Sequence, residues 1–188
     1  MKQLPTSLPT TGSLLLAEPF LVDTCFKRSV VLLTEHDKNG TIGFILNKPT
    51  DLKINNAVED FPEFDALLYF GGPVDTETLF YVHTLGNKLT GARKICEGVY
   101  WGGDYDQLKL MVDTKQVKPA QIRFYAGYSG WDPMQINDEL EDQAWIVTKS
   151  TPGFTFYETP RRLWSAVLKS MGDEYAMMAN FPEDPQLN

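Results

Sequence analysis

Apolar residues in this chain fall into short runs separated by turn-forming residues, a pattern of strands more than of long helices. Gly12-Ser-Leu-Leu-Leu-Ala17 reads as a buried strand stopped by Pro19, and Arg28-Ser-Val-Val-Leu-Leu-Thr-Glu-His36 as a second. Asp37-Lys-Asn-Gly40 is a turn; Asn39-Gly40 is a strong hairpin signal because both positions tolerate positive φ. Thr41-Ile-Gly-Phe-Ile-Leu-Asn47 returns and Pro49 ends it. A two-residue turn at Asn39-Gly40 sets Leu33 opposite Leu46. Val31, Leu33 and Glu35 then share a core face with Ile42, Phe44 and Leu46. The other face, with Leu32, Thr34, His36, Gly43, Ile45 and Asn47, is mixed enough to border a cleft. A three-residue turn would reverse the assignment.

Further on, Ile54–Phe61 predicts a short helix, Ala66–Phe70 a strand running into Gly71-Gly72-Pro73, and Thr78–His83 another strand. A glycine-bounded loop around 85–91 follows, and Glu97–Trp101 is strand-like. Asp104, with Gln107 three residues on, opens a helix as a variant capping box, and Pro119 bars its continuation. Gln121–Ala126 and Ala144–Thr148 are strands. Between them Gly127–Trp131 reads as a tight strand exit, with Asp132 as N-cap, Pro133 at N1 and Gln135 at N3 of a helix. On that reading Asp132→Ala costs about 1 kcal/mol. Thr159-Pro160 starts a helix with the stripe Leu163, Trp164, Val167, Leu168, Met171, closed by Gly172, and Asp173–Ala179 adds a helical turn or two. Strands in hairpin-like groups with inserted helices predict an α+β fold: one compact domain with a mixed, largely antiparallel sheet flanked by helices. The domain spans 12–180, between a flexible N-terminal arm (1–11) and an acidic C-terminal tail (181–188).

Charge changes the picture mainly by exclusion. The chain of 188 residues has 17 basic and 25 acidic residues, a net charge of −8. Asp132, Asp138, Glu139, Glu141 and Asp142 lie together with no cation between 132 and 148. Nucleic-acid binding, which needs a basic stripe, is disfavoured. Arg161, Arg162 and Lys169 read as a solvated helix face. No apolar run reaches the ~18 residues of a membrane span, and Leu14–Ala17 is too short for a secretory core, so the protein is expected to be cytoplasmic. Cys25 and Cys96, far apart and outside any C-x-x-C, are expected to be reduced thiols.

Candidate chemistry is sparse. Gly127-Tyr128-Ser129-Gly130-Trp131 approaches a nucleophile elbow, but Trp131 stands where the final glycine belongs. Both histidines, His36 and His83, precede Ser129, contrary to the order of that fold. Their separation has no metal-ligand spacing, and phosphate-binding glycine motifs are missing, so no metal and no cofactor is expected. Gly71-Gly72 and Gly102-Gly103 follow strands, where glycine serves a positive φ, close packing or a ligand's approach to the backbone. Arg28 suits an internal ion pair, or a bound carboxylate or phosphate.

Four phrases in order resemble one family: residues 12–50, Tyr69–Thr84 (YFGGPVDTETLFYVHT), Glu97–Asp104 (EGVYWGGD) and Arg123–Leu140 (RFYAGYSGWDPMQINDEL). This is similar to the bacterial YqgE/AlgH family, over roughly 12–172. The resemblance implies a compact cytosolic α+β domain without established enzymatic activity, of a kind described as transcriptional regulators. The family pattern carries over at Arg28, Ser29, His36, Gly71, Gly72, Pro73, His83, Gly130, Trp131, Gln135 and Leu140. It departs at Asp23-Thr24, where Asp-Pro is usual, and at Asp132 and Met134, which replace two glycines of a Gly-Trp-Gly-Pro-Gly-Gln run. The expected function is a non-enzymatic regulatory or interaction protein, with an unidentified protein or small molecule as partner. Its candidate binding surface comprises Arg28, Ser29, His36, Asn47, Gly71, Gly72, Pro73, His83, Ser129, Trp131 and Gln135. The alternative is a small-molecule binder or hydrolase, which requires Arg28, a histidine and Ser129 or Gln135 to converge. Oligomeric state is left open.

Overall fold

The computed structural model describes residues 8–182, so parts of both expected terminal segments (1–7 and 183–188) lie outside it. Pro9, within the expected arm, is buried. Ten strands form one curled sheet among the described residues: β1 (Ser13–Ala17), β2 (Val30–Asp37), β3 (Gly40–Ile45), β4 (Pro49–Lys53), β5 (Leu67–Phe70), β6 (Val74–His83), β7 (Arg93–Cys96), β8 (Val99–Trp101), β9 (Ile122–Trp131) and β10 (Trp145–Lys149). Their order is β10-β1-β2-β3-β9-β6-β8-β7, with β4 on β5 and β5 on β9. All pairs are antiparallel except β5 with β9, so the sheet is mixed and largely antiparallel. The helices are α1 (Ile54–Ala57), α2 (Tyr105–Asp113), α3 (Gln135–Glu141), α4 (Pro152–Thr155), α5 (Leu163–Ser170) and α6 (Asp173–Met178).

The long strand β9 joins the two halves of the sheet. Its first half lies between β5 and β6, and its last residues pair with β3. One sheet face packs Leu14, Leu32, Phe44 and Tyr125 against Leu163, Trp164, Val167 and Leu168 of α5. The stripe predicted for that helix is therefore the one buried. The opposite face is covered twice: α2 seats Leu108, Met111 and Val112 over Phe124, and α3 seats Ile136 and Leu140 over Leu15, Val31 and Leu33.

Several local expectations are corrected. The first hairpin turns at Lys38-Asn39, with Asp37 opposite Gly40. The carboxylate of Asp37 accepts the Asn39 N–H at 2.7 Å, which closes the turn one residue early. A bulge between Leu33 and Glu35 shifts the register again, so Leu32 faces Phe44 and Leu33 faces Gly43. Val31 and Leu33 thus share a side with Ile45 rather than with Phe44 and Leu46, and both faces are buried.

Gly127–Trp131 is not a strand exit but the second half of β9. The helix after it starts at Gln135, following Met134 in the left-handed region (φ 73). Asp132 is not its N-cap. The Gln135 Oε1 accepts the Asp132 N–H at 3.0 Å, which is half of a capping box, and no side-chain hydrogen bond caps the helix. Asp104 does cap α2, accepting the Gln107 N–H at 2.8 Å. The Gln107 side chain, however, binds Thr90 N and Lys88 O instead of closing the box. Pro160 opens a 3₁₀ turn (Pro160–Arg162) rather than α5 itself.

Candidate functional site

The glycine pair after β5 lies against the crossing strand β9. A Cβ on Gly71 would stand 2.2 Å from the Gly127 carbonyl oxygen, and one on Gly72 would stand 2.2 Å from the Tyr128 carbonyl carbon. Backbone therefore fills the space where a ligand would have approached these glycines. Ser129 belongs to the same crossing: fully buried, paired with Gly43, its Oγ donates to the Gly71 carbonyl at 3.1 Å. The structure thus brings Gly71, Gly72 and Ser129 together as interlocked strands, with Pro73 exposed beside them. Ser129 is therefore a buried strand residue and not an exposed serine on a turn.

His83 is elsewhere, at the end of β6, also fully buried. Its Nδ1 accepts the Leu85 N–H at 3.2 Å, so Nε2 carries the proton and donates to the Gly102 carbonyl at 2.9 Å. Burial holds its pKa below the usual histidine value, the Gly102 bond opposing in part. Gly103 takes the Tyr81 hydroxyl at 2.6 Å; that phenol is pushed up to about 12, by burial first and then by Asp104 and Tyr105. Gly102 and Gly103 therefore receive side chains of the sheet itself. His36 lies near the hairpin end, its Nδ1 2.7 Å from the Thr41 hydroxyl.

A third group forms where the chain enters β2. The side chain of Asn47 bridges the Arg28 carbonyl and the Val30 N–H, both at 2.9 Å. The Arg28 guanidinium lies 4.7 Å from the Trp164 ring centroid and donates to the Phe181 carbonyl. No acidic side chain pairs with it among the described residues. Ser29 is buried there, its hydroxyl without a hydrogen-bond partner among the described residues.

Trp131 and Gln135 belong to a fourth place. The indoles of Trp131 and Trp145 both donate to Glu139 Oε2, at 2.9 and 2.6 Å, while Gln135 Nε2 donates to Oε1 at 2.9 Å. Beside them a groove of about 470 Å³ is bordered by Glu35, Asp37, Thr41, Tyr128, Trp131 and Gln135. Arg28, His83 and Ser129 do not border it. The residues singled out from sequence are thus distributed over four neighbourhoods. Among the described residues no three His, Cys, Asp or Glu side chains stand close enough to hold a metal ion. Both cysteines are free and half-buried.

A larger groove, about 770 Å³, lies beside β10. Phe20, Leu21 and Val22 form one wall, Tyr175, Met177 and Met178 of α6 the other, and Trp145–Val147 the base. Val22 is 90% exposed and Met177 63%. None of these residues was singled out from the sequence, because a few apolar residues after Pro19 and a short terminal helix show no periodicity.

The fold and the sequence agree with known proteins. A family model described as AlgH-like matches residues 14–176. The chain belongs to the AlgH-like family. A UPF0301 protein of Chlorobium limicola is 41% identical over 177 residues, 94% of this chain and 95% of the relative. One from Cytophaga hutchinsonii is 40% identical over 180 residues, 95% and 99% of the two chains. The solution structure of AlgH from Pseudomonas aeruginosa superposes with a TM-score of 0.72 at 26% identity, covering 95% of this chain and 98% of that one. A crystal structure of a protein from Corynebacterium diphtheriae has TM-score 0.79 at 22% identity, covering 95% of each chain, a likeness of fold. No helix among the described residues of this AlgH-like chain is long and apolar enough to cross a membrane.

Proposed function

We propose that this AlgH-like protein is a non-enzymatic, cytoplasmic interaction protein with a regulatory role. The observation that carries this reading is the groove beside β10, where Phe20, Val22 and Met177 are exposed together. Contiguous apolar surface of this kind marks interaction sites, whereas scattered exposed residues do not. The internal hydrogen bonding of Ser129 and His83, at different places in the sheet, supports it over a hydrolase at their junction. Contact with other proteins fits the net charge of −8 better than direct contact with nucleic acid. The test is affinity isolation with the intact immobilised chain under native conditions. Proteins recovered reproducibly, and lost when Val22→Asp and Met177→Asp are combined, are expected; no recovered protein across growth conditions overturns the reading.

A further inference from the structure

Among the described residues, the outer backbone edge of β10 is unoccupied. β10 is, among the described residues, the terminal strand of the sheet and pairs only with β1. The Glu18 N–H donates to the Ala144 carbonyl at 2.9 Å and the Ser150 N–H to the Gly12 carbonyl at 3.0 Å. Antiparallel bonding alternates, so Ala144, Ile146, Thr148 and Ser150 turn their backbone groups toward β1. Trp145, Val147 and Lys149 turn theirs outward, and no hydrogen bond outside the sheet joins these groups to another described residue. Natural sheets usually protect such an edge with a bulge, a proline or a covering segment. Here it opens into the apolar groove, whose border includes Trp145, Ile146 and Val147.

The charges around the groove have one sign. Glu18, Asp23, Asp142 and Glu174 border it, and among the described residues no Lys or Arg does. A second copy of this chain would bring the same carboxylates to the contact, and like charges in register oppose pairing. A segment with basic side chains does not meet this repulsion. The wall from α6 carries Met177 and Met178, side chains that adapt to varied apolar partners.

Resting on the interaction reading above, we propose that the free edge of β10 binds an extended segment of a partner protein with alternating apolar and basic side chains. The segment adds one strand to the sheet. Its backbone bonds to Trp145, Val147 and Lys149, its apolar side chains enter the groove between Phe20–Val22 and α6, and its cations meet the carboxylates at the border.

The test is fluorescence anisotropy of the full chain with a labelled peptide of about seven residues alternating lysine and valine, long enough to span β10. A peptide alternating glutamate and valine is the control. The expected result is micromolar binding of the basic peptide, weakened by salt, and at least about tenfold weaker binding of the acidic one. Val147→Pro removes an outward N–H without breaking a bond to β1 and is expected to weaken binding at least about tenfold. Its fold is checked by circular dichroism. Should it not fold, Asp142→Lys combined with Glu174→Lys, both exposed, is expected to abolish the preference for the basic peptide. Equal binding of both peptides, no binding at about 1 mM, or a folded Val147→Pro variant that binds like wild type overturns the proposal. So does a concentration-dependent dimer abolished by Val147→Pro, which would give the edge to a second copy. Partners that affinity isolation recovers equally with wild type and these variants refute this site alone, whereas recovery of none refutes the interaction reading itself.

Discussion

Met134 holds a conformation that its side chain opposes. At φ 73 and ψ −22 it lies in the left-handed region, immediately before α3. An L-residue there costs about 1–2 kcal/mol because its Cβ crowds the following carbonyl. Little compensates in the folded state: Met134 is 66% exposed, and its sulfur receives only a long contact of 3.6 Å from Asn137. The family resemblance of the sequence implies glycine at this position, and glycine adopts this conformation freely. Met134→Gly is therefore expected to stabilise the protein. The gain is reduced by about 0.4–1 kcal/mol, the added flexibility of glycine in the unfolded chain, which leaves about 0.5–1 kcal/mol. With a urea slope of about 2 kcal/mol per molar, the midpoint should rise by about 0.2–0.5 M. Met134→Ala, which keeps the strain and removes only the exposed thioether, should stay within about 0.5 kcal/mol of wild type. Asp132→Ala should do the same, since the Gln135 side chain binds the backbone of Asp132 and not its carboxylate. If Met134→Gly is no more stable than Met134→Ala, strain at this residue does not limit stability and the reasoning fails.

Glu139→Ala should cost about 2–4 kcal/mol in urea unfolding, because the nearly buried indoles of Trp131 and Trp145 both lose their acceptor; Glu139→Gln should lose less, and an unchanged midpoint for the alanine variant would refute the shared-acceptor account. Burial lowers the pKa of His83 in the folded state, so the unfolded chain takes up the proton first. Stability from this group is complete above the unfolded value, about 6.5, and is lost as pH falls from there toward the lowered folded value. Urea midpoints at about pH 7.5 and 5.5 should thus differ more in wild type than in His83→Gln; equal differences would refute the assignment. Gly72→Ala should cost about 3 kcal/mol or more or prevent folding, since its methyl group would enter the backbone of β9; a near-native thermal midpoint would show that this crossing can separate.

Much of the fold was legible where local pattern and tertiary role coincide. Leu14–Leu16, Val30–Leu33 and Ile146–Val147 are apolar on consecutive positions because both faces of their strands are covered, one by α5 and the other by α3. The stripe of α5 was equally plain. Register was not, because it depends on one hydrogen bond: Asp37 to the Asn39 amide moves the turn from Asn39-Gly40 to Lys38-Asn39, and the bulge near Thr34 moves the pairing again. β3 ends at Ile45, and Pro49, expected to close that strand, instead opens β4; the polar strand β7 has no apolar run to reveal it. Asp-Pro-Met-Gln satisfies the residue preferences of a capping box at Asp132, but the left-handed Met134 delays the helix to Gln135.

The candidate site was less legible than the fold for a related reason. Ser129 and the paired glycines carry the residue types of an active turn, yet their spacing serves a crossing of strands that requires small residues. A motif records which side chains stand together, but solvent access depends on the strand that lies across them, here β9 on the segment after β5. The groove beside β10 presents the converse case. Its walls come from residues 18–23, 142–147 and 174–178, each short and apolar enough to pass as interior. What distinguishes them is that β10 has, among the described residues, a neighbour on one side only, a property of strand order and not of any segment. An unpaired edge beside exposed apolar residues and carboxylates of one sign is therefore a feature that only the assembled sheet can show, and it is the feature on which the proposed partner binding rests.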